Sequence, residues 1–98
     1  MTVTAHAFQA ELWRYHGEAS WYFVSLPTEL ADTIRAEHGP LARGFGSVKV
    51  SVRLGSSQWA TSVFPDATRG TYLLPVKKSV RLAEGLDAGD NVAVVLTV

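Results

Sequence analysis

No cysteine occurs anywhere in the 98 residues. That absence excludes disulfides and thiolate metal sites, and it is the usual condition of a protein from a reduced compartment. Nor does any apolar run approach the roughly 18–20 residues that a membrane helix needs. The leading residues, MTVTAHAFQA, show no basic region followed by an apolar stretch of the kind that directs export. The expectation is a soluble, cytoplasmic chain. Net charge is missing as well: nine Lys and Arg offset nine Asp and Glu, which counts against a protein whose affinity rests on neutralising many phosphates along a duplex. Histidine is scarce. His6, His16 and His38 are not spaced with a carboxylate or with one another as a metal site requires, and they read as solvated surface residues. Ser-His-Asp chemistry stays open on composition, but no Gly-x-Ser-x-Gly elbow is present. No catalytic residue, metal or cofactor is therefore expected.

What is present is a core. Hydrophobic residues make up 47% of the chain and ten are aromatic, which argues against disorder and against dependence on metal or disulfide staples. A single domain spanning residues 1–98 is expected, able to bury roughly two thirds of its unfolded surface. Charge is unevenly placed along it. Residues 41–81 hold Arg43, Lys49, Arg53, Arg69, Lys77, Lys78 and Arg81 against Asp66 alone, seven minus one, or plus six. Residues 1–40 and 82–98 each carry minus three and offset it. Either the three regions intermix and their charges cancel at the surface, or a basic face results.

In chain order, residues 7–15 read as a strand with Phe8, Ala10 and Leu12 on one face and Gln9, Glu11, Trp13 and Tyr15 on the other. After the His16-Gly17-Glu18 turn, SWYFVSL (20–26) reads as a second strand, apolar enough to be covered on both faces. Pro27 opens a helix, 28–37, with Leu30, Ala31 and Ile34 on one stripe, acids near its start, Arg35 and His38 near its end, and Gly39-Pro40 as the stop. Residues 45–54 alternate cleanly, Val48, Val50, Val52 and Leu54 opposite Lys49, Ser51 and Arg53. Gly55-Ser56-Ser57 turns the chain into QWATSVF (58–64), which ends at Pro65-Asp66. A strand 71–74, Pro75, a helix 76–84, Gly85 as its cap, an Ala88-Gly89-Asp90 turn and an alternating strand from Val92 to Val98 complete the chain.

The two halves echo each other: an aromatic-led strand, a proline, a helix, a glycine and an alternating strand occur twice, aligning Tyr22 with Tyr72 and Pro27 with Pro75. A unit this short cannot bury its apolar face alone. Two such units in one chain imply a mainly β fold, a small closed barrel of about six strands with two short helices and internal pseudo-twofold symmetry.

The second unit, LLPVKKSVRLAEGLDAGDNVAVVL, is similar to the hairpin of the AbrB/MazE superfamily of swapped-hairpin regulators. Nearly the whole chain resembles the bacterial and archaeal family called domain of unknown function 1905. Its landmarks occur in order: Phe8, Ala10 and Glu11; Trp21-Tyr22-Phe23 before Leu26-Pro27; Gly44-Phe45-Gly46 leading into Val48; Trp59 before Thr61-Ser62; Phe64-Pro65; Tyr72 through Lys78; and Gly89-Asp90. The resemblance implies a double-split barrel, an AbrB-type dimer folded into one chain. It implies no activity.

Arg43-Gly44-Phe45-Gly46-Ser47 has the look of a phosphate loop, yet it precedes a strand where backbone phosphate binding wants a helix; turn or bulge geometry is the better reading. The basic residues are the stronger candidates. Lys77, Lys78 and Arg81 share one side of the second helix, opposite Val76, Val80 and Ala83, while Lys49 and Arg53 occupy the polar face of the middle strand. With Trp59 and Ser62 of the neighbouring strand they form the expected ligand-binding set, against the alternative that their long stems lie over the barrel with the charges solvated. Trp13, Trp21 and Trp59 read as core before pocket. The function expected is a non-enzymatic binding or accessory module, monomeric, recognising an anionic small molecule or a protein partner. An AbrB-like DNA-binding regulator is the alternative, and a small enzyme of unknown reaction the third.

Overall fold

Alternation of inward and outward side chains is the organising pattern of the computed structural model, which describes residues 4–17, 21–38 and 46–98. β1 (Ala5–Arg14) puts Leu12 into the core with Phe8 and Ala10 packed against it. β2 is short, Tyr22–Ser25, and contributes the fully buried Val24. In α1 (Thr28–His38) the expected stripe of Leu30, Ala31 and Ile34 is buried, and the Ala31 N–H donates to the Pro27 carbonyl at 2.9 Å. β3 (Val48–Leu54) alternates buried and exposed at every position. β4 (Ser57–Asp66) returns antiparallel to it after the two-residue Gly55-Ser56 turn. β5 (Thr71–Pro75), α2 (Lys78–Glu84) and β6 (Asn91–Thr97) follow. The expected helix stop at Gly39-Pro40 and the glycine loop at Arg43-Gly44-Phe45 lie outside the described residues, as does Glu18.

All six strands close into an antiparallel barrel in the order β1-β2-β5-β4-β3-β6. Helices and strands share one core, in which Leu12, Val24, Ile34, Val63, Leu74, Val94 and Leu96 are almost wholly removed from water. The one buried polar side chain among the described residues, Thr71, donates its hydroxyl to the Leu26 carbonyl at 2.7 Å, so no hydrogen-bonding capacity is lost there.

The pseudo-twofold axis is read from the registers. Val24 faces Leu74 where β2 meets β5, and Arg53 faces Val95 where β3 meets β6. Around the first pair, Leu26 N–H donates to Tyr72 O at 3.0 Å and Val76 N–H donates to Tyr22 O at 2.9 Å. Exchanging Val24 with Leu74 turns each of these bonds into the other. Around the second pair, Val52 faces Leu96 and Leu54 faces Val94 in the same exchanging way. The units β1–β2–α1–β3 and β4–β5–α2–β6 are thus copies of one ββαβ motif. Tyr22 matches Tyr72 as expected. Pro27 does not match Pro75: the register pairs Pro27 with Lys77 and Pro75 with Ser25, because the helices begin four residues beyond the axis in both units, at Thr28 and Lys78.

Pro75 departs from expectation in a second way. It closes β5 opposite Phe23, and α2 starts three residues later from an extended Lys77. A proline at the last strand position forfeits no ladder bond whose donor would have been needed. Gly85 ends α2 in the left-handed conformation, φ 64°, as its position implied. Truncating the axis residue, Leu74→Ala, is expected to cost about 2–5 kcal/mol in urea unfolding, whereas Leu82→Ala on the 71% exposed face of α2 should stay within about 0.5 kcal/mol.

Candidate functional site

α2 is held down by Val80, with Val76 buried just before it. That anchoring turns Lys77, Lys78 and Arg81 towards a groove of about 310 Å³, walled by Trp21 and Tyr22 at the start of β2, Trp59 to Thr61 on β4, and Pro75 and Val76. No carboxylate of a described residue lines it. The Arg81 guanidinium lies over Tyr22, its carbon 3.7 Å from the ring centroid, an arrangement worth roughly 0.5–2 kcal/mol. Its Nε is buried without a hydrogen-bond partner among the described residues, a cost of about 1–3 kcal/mol, the same order as the stacking gain.

The cations of this groove are also unpaired. Elsewhere Arg35 bonds Asp32 at 2.9 Å and Arg69 bonds Asp66 at 2.7 Å, but Lys77, Lys78 and Arg81 have no ion-pair partner among the described residues. Glu84, one turn from Arg81 and at the spacing of a helical ion pair, is engaged elsewhere. It accepts from Ser57 Oγ at 2.7 Å, Ser56 Oγ at 3.1 Å and the Ser56 N–H at 3.4 Å. These donors, Ser57 foremost, hold its carboxyl below the usual glutamate range. Gly55 makes the clamp feasible: its φ of +61° suits the first turn position, and a Cβ there would run into the Glu84 carboxylate.

The profile of the family described as Domain of unknown function (DUF1905) matches residues 8–96. The chain belongs to DUF1905. No curated protein matches it.

Four of the seven residues expected at a site in this DUF1905 chain, Trp59, Lys77, Lys78 and Arg81, line the groove. The other three do not. Lys49 and Ser62 face each other across β3 and β4. Arg53 stands on the pseudo-twofold, between Gln58 of β4 and Val95 of β6. Strand alternation placed Lys49 and Arg53 on the exposed face of β3 correctly, but neither they nor Ser62 line the groove.

Six lining residues were outside the expected set: Trp21, Tyr22, Ala60, Thr61, Pro75 and Val76. Trp21 read as core and is 54% exposed, stacked on Phe23 with ring centroids 6.0 Å apart and planes at 13°. Trp13 and Trp59 are half-buried. Trp13 has its own cover, the Arg69 guanidinium 4.1 Å from its ring centroid, and its indole N–H donates to Ser25 Oγ at 3.0 Å. Arg69 in turn hydrogen-bonds Asp66 and holds that carboxyl below its usual range. The Gly89-Asp90 turn is structural: Asp90 accepts the Asp87 N–H at 2.8 Å, and the Gly89 N–H donates to the Leu12 carbonyl at 2.8 Å.

Gly55→Ala should cost about 1–3 kcal/mol, more than Gly85→Ala, where φ is also positive but nothing lies within 4 Å of the added Cβ; urea unfolding of the two variants side by side checks the order. Because the folded Glu84 pKa is depressed, the clamp contributes stability above the unfolded value of about 4.3 and loses it as pH falls through the lower folded value. Glu84→Gln should therefore lower Tm at neutral pH, and the gap to wild type should narrow in acid.

Proposed function

We propose that the chain is a non-enzymatic binding module whose ligand site is the α2 groove and whose ligand is anionic, a small molecule or the acidic part of a protein partner. The observation that carries this reading is the asymmetry between two units that share one fold. Under the pseudo-twofold, Lys77, Lys78 and Arg81 take the places of Pro27, Thr28 and Ala31. The latter unit forms its strand, helix and core contacts with no cation at any of these positions, and Ala31 is fully buried. The fold therefore does not require the three charges. They are concentrated, unpaired and set beside aromatic rings, where an anion would replace the missing counterions.

Monomeric state belongs to the same proposal. Every strand of the closed barrel has a partner on each side, so no edge is left to template a dimer. The absence of cysteine accords with a cytoplasmic location. The DNA-regulator alternative rests on fold resemblance alone.

The test grafts one unit onto the other. Lys77 has a φ of −71°, which proline adopts without strain, so the triple variant Lys77→Pro, Lys78→Thr, Arg81→Ala should keep the wild-type circular dichroism spectrum. Titration of ¹⁵N-labelled protein with inorganic phosphate and pyrophosphate should shift the amides of residues 77–81 in wild type and leave the variant unmoved. Equal shifts in both proteins would remove the reading. A duplex titration whose log affinity falls with log salt at a slope near −5, that of about six neutralised phosphates, would favour DNA instead.

A further inference from the structure

Resting on that reading of the groove, we infer that its ligand is a nucleoside monophosphate unit: a flat heteroaromatic ring joined to a phosphate. The groove's lining is of two kinds: the cations Lys77, Lys78 and Arg81, and the indoles Trp21 and Trp59. A simple anion satisfies the cations and leaves the indoles in water.

The indoles are accessible. Trp21 packs nearly parallel to Phe23 in an offset contact, centroids 6.0 Å apart, while 54% of the residue stays open to solvent. Exposed tryptophans are costly to leave wet, and one that lines a basic groove can receive a base by stacking. The Thr61 hydroxyl lines the same space and makes no hydrogen bond with a described residue. It can donate to or accept from the polar edge of a base, which a purely hydrocarbon ring would not use.

The cations select phosphate over carboxylate. Three unpaired cations exceed what a single carboxylate neutralises, and a phosphate monoester carries close to two charges at neutral pH. Arg81 is held over the Tyr22 ring, and a guanidinium offers the paired hydrogen bonds that phosphate oxygens accept. A volume of about 310 Å³ lies at the small end of ligand sites, which run from roughly 300 to 1,000 Å³, and suits one nucleotide unit. That unit occurs free or as the 5′ end of a single strand.

The experiment compares AMP, ribose 5-phosphate, adenosine and a 5′-phosphorylated tetranucleotide by amide and indole N–H shifts of the ¹⁵N-labelled chain. AMP should bind at least about tenfold more tightly than ribose 5-phosphate or adenosine, moving the Trp21 and Trp59 indoles together with residues 77–81, as base stacking on an aromatic platform requires. Trp21→Leu should bring AMP down to the ribose 5-phosphate level without affecting ribose 5-phosphate itself. If ribose 5-phosphate binds as well as AMP and both are lost in the triple variant, the anion site stands and the nucleotide inference falls. Adenosine binding as tightly as AMP would overturn the role of the phosphate, and no shift at residues 77–81 with any phosphate would overturn the anion site and the inference together. Tighter binding of the tetranucleotide than of AMP would assign the unit to a strand end, and the reverse to a free nucleotide. The ligand comparison is decisive in wild-type protein alone, should Trp21→Leu not fold.

Discussion

Where β2 crosses β5, Val24 and Leu74 face each other with neither side chain exposed, and two reciprocal backbone bonds lock the strands on either side. Each ββαβ unit is open on its own: its second strand is paired on one side only, its last strand has no partner within the unit, and its apolar face lacks a cover. Pairing β2 with β5 joins the units, and the β1–β6, β3–β4 and β3–β6 pairings complete the ring. Everything else hangs from this exchange. The helices depart four residues past the axis in each unit because that is where the paired segment ends, and the groove exists because α2 leaves Pro75 next to the start of β2.

Much of this was legible in the chain. Alternation in VKVSVRL and in NVAVVLT is a local signal, and both strands form with the faces it implies. The closed barrel and the internal duplication followed from two units that could not be buried separately. The details of the duplication were not legible. Aligning Pro27 with Pro75 is natural when the chain is read as text, but the register is set by cross-strand hydrogen bonds between residues about fifty positions apart, and these match each proline to a different residue.

The site was half legible for a similar reason. Helical spacing gathers Lys77, Lys78 and Arg81 without knowledge of the rest of the fold. Whether the basic face of β3 meets them depends on the barrel's order, and the barrel turns Lys49 and Arg53 elsewhere. Trp21 read as core because a tryptophan leading an apolar run normally is; its exposure accords with its place just outside β2, beyond the last ladder pair. Nothing local announces that Glu84 bonds serines 27 and 28 positions away, yet that contact keeps the nearest acid off Arg81.

The pairing of β6 with both β1 and β3 has a bearing on how the chain reaches this state. Ala5 lies opposite Thr97, so the strand nearest the beginning of the sequence waits on the one nearest its end. Until β6 docks, β1 and β3 each present a row of unsatisfied amides and carbonyls, the condition under which strands pair with the wrong chain. Contacts this distant in sequence slow folding, since the loop must close before any of them forms. Of the six barrel strands, the one synthesised last is therefore the seam, and a nascent chain lacking it is the form most in need of protection.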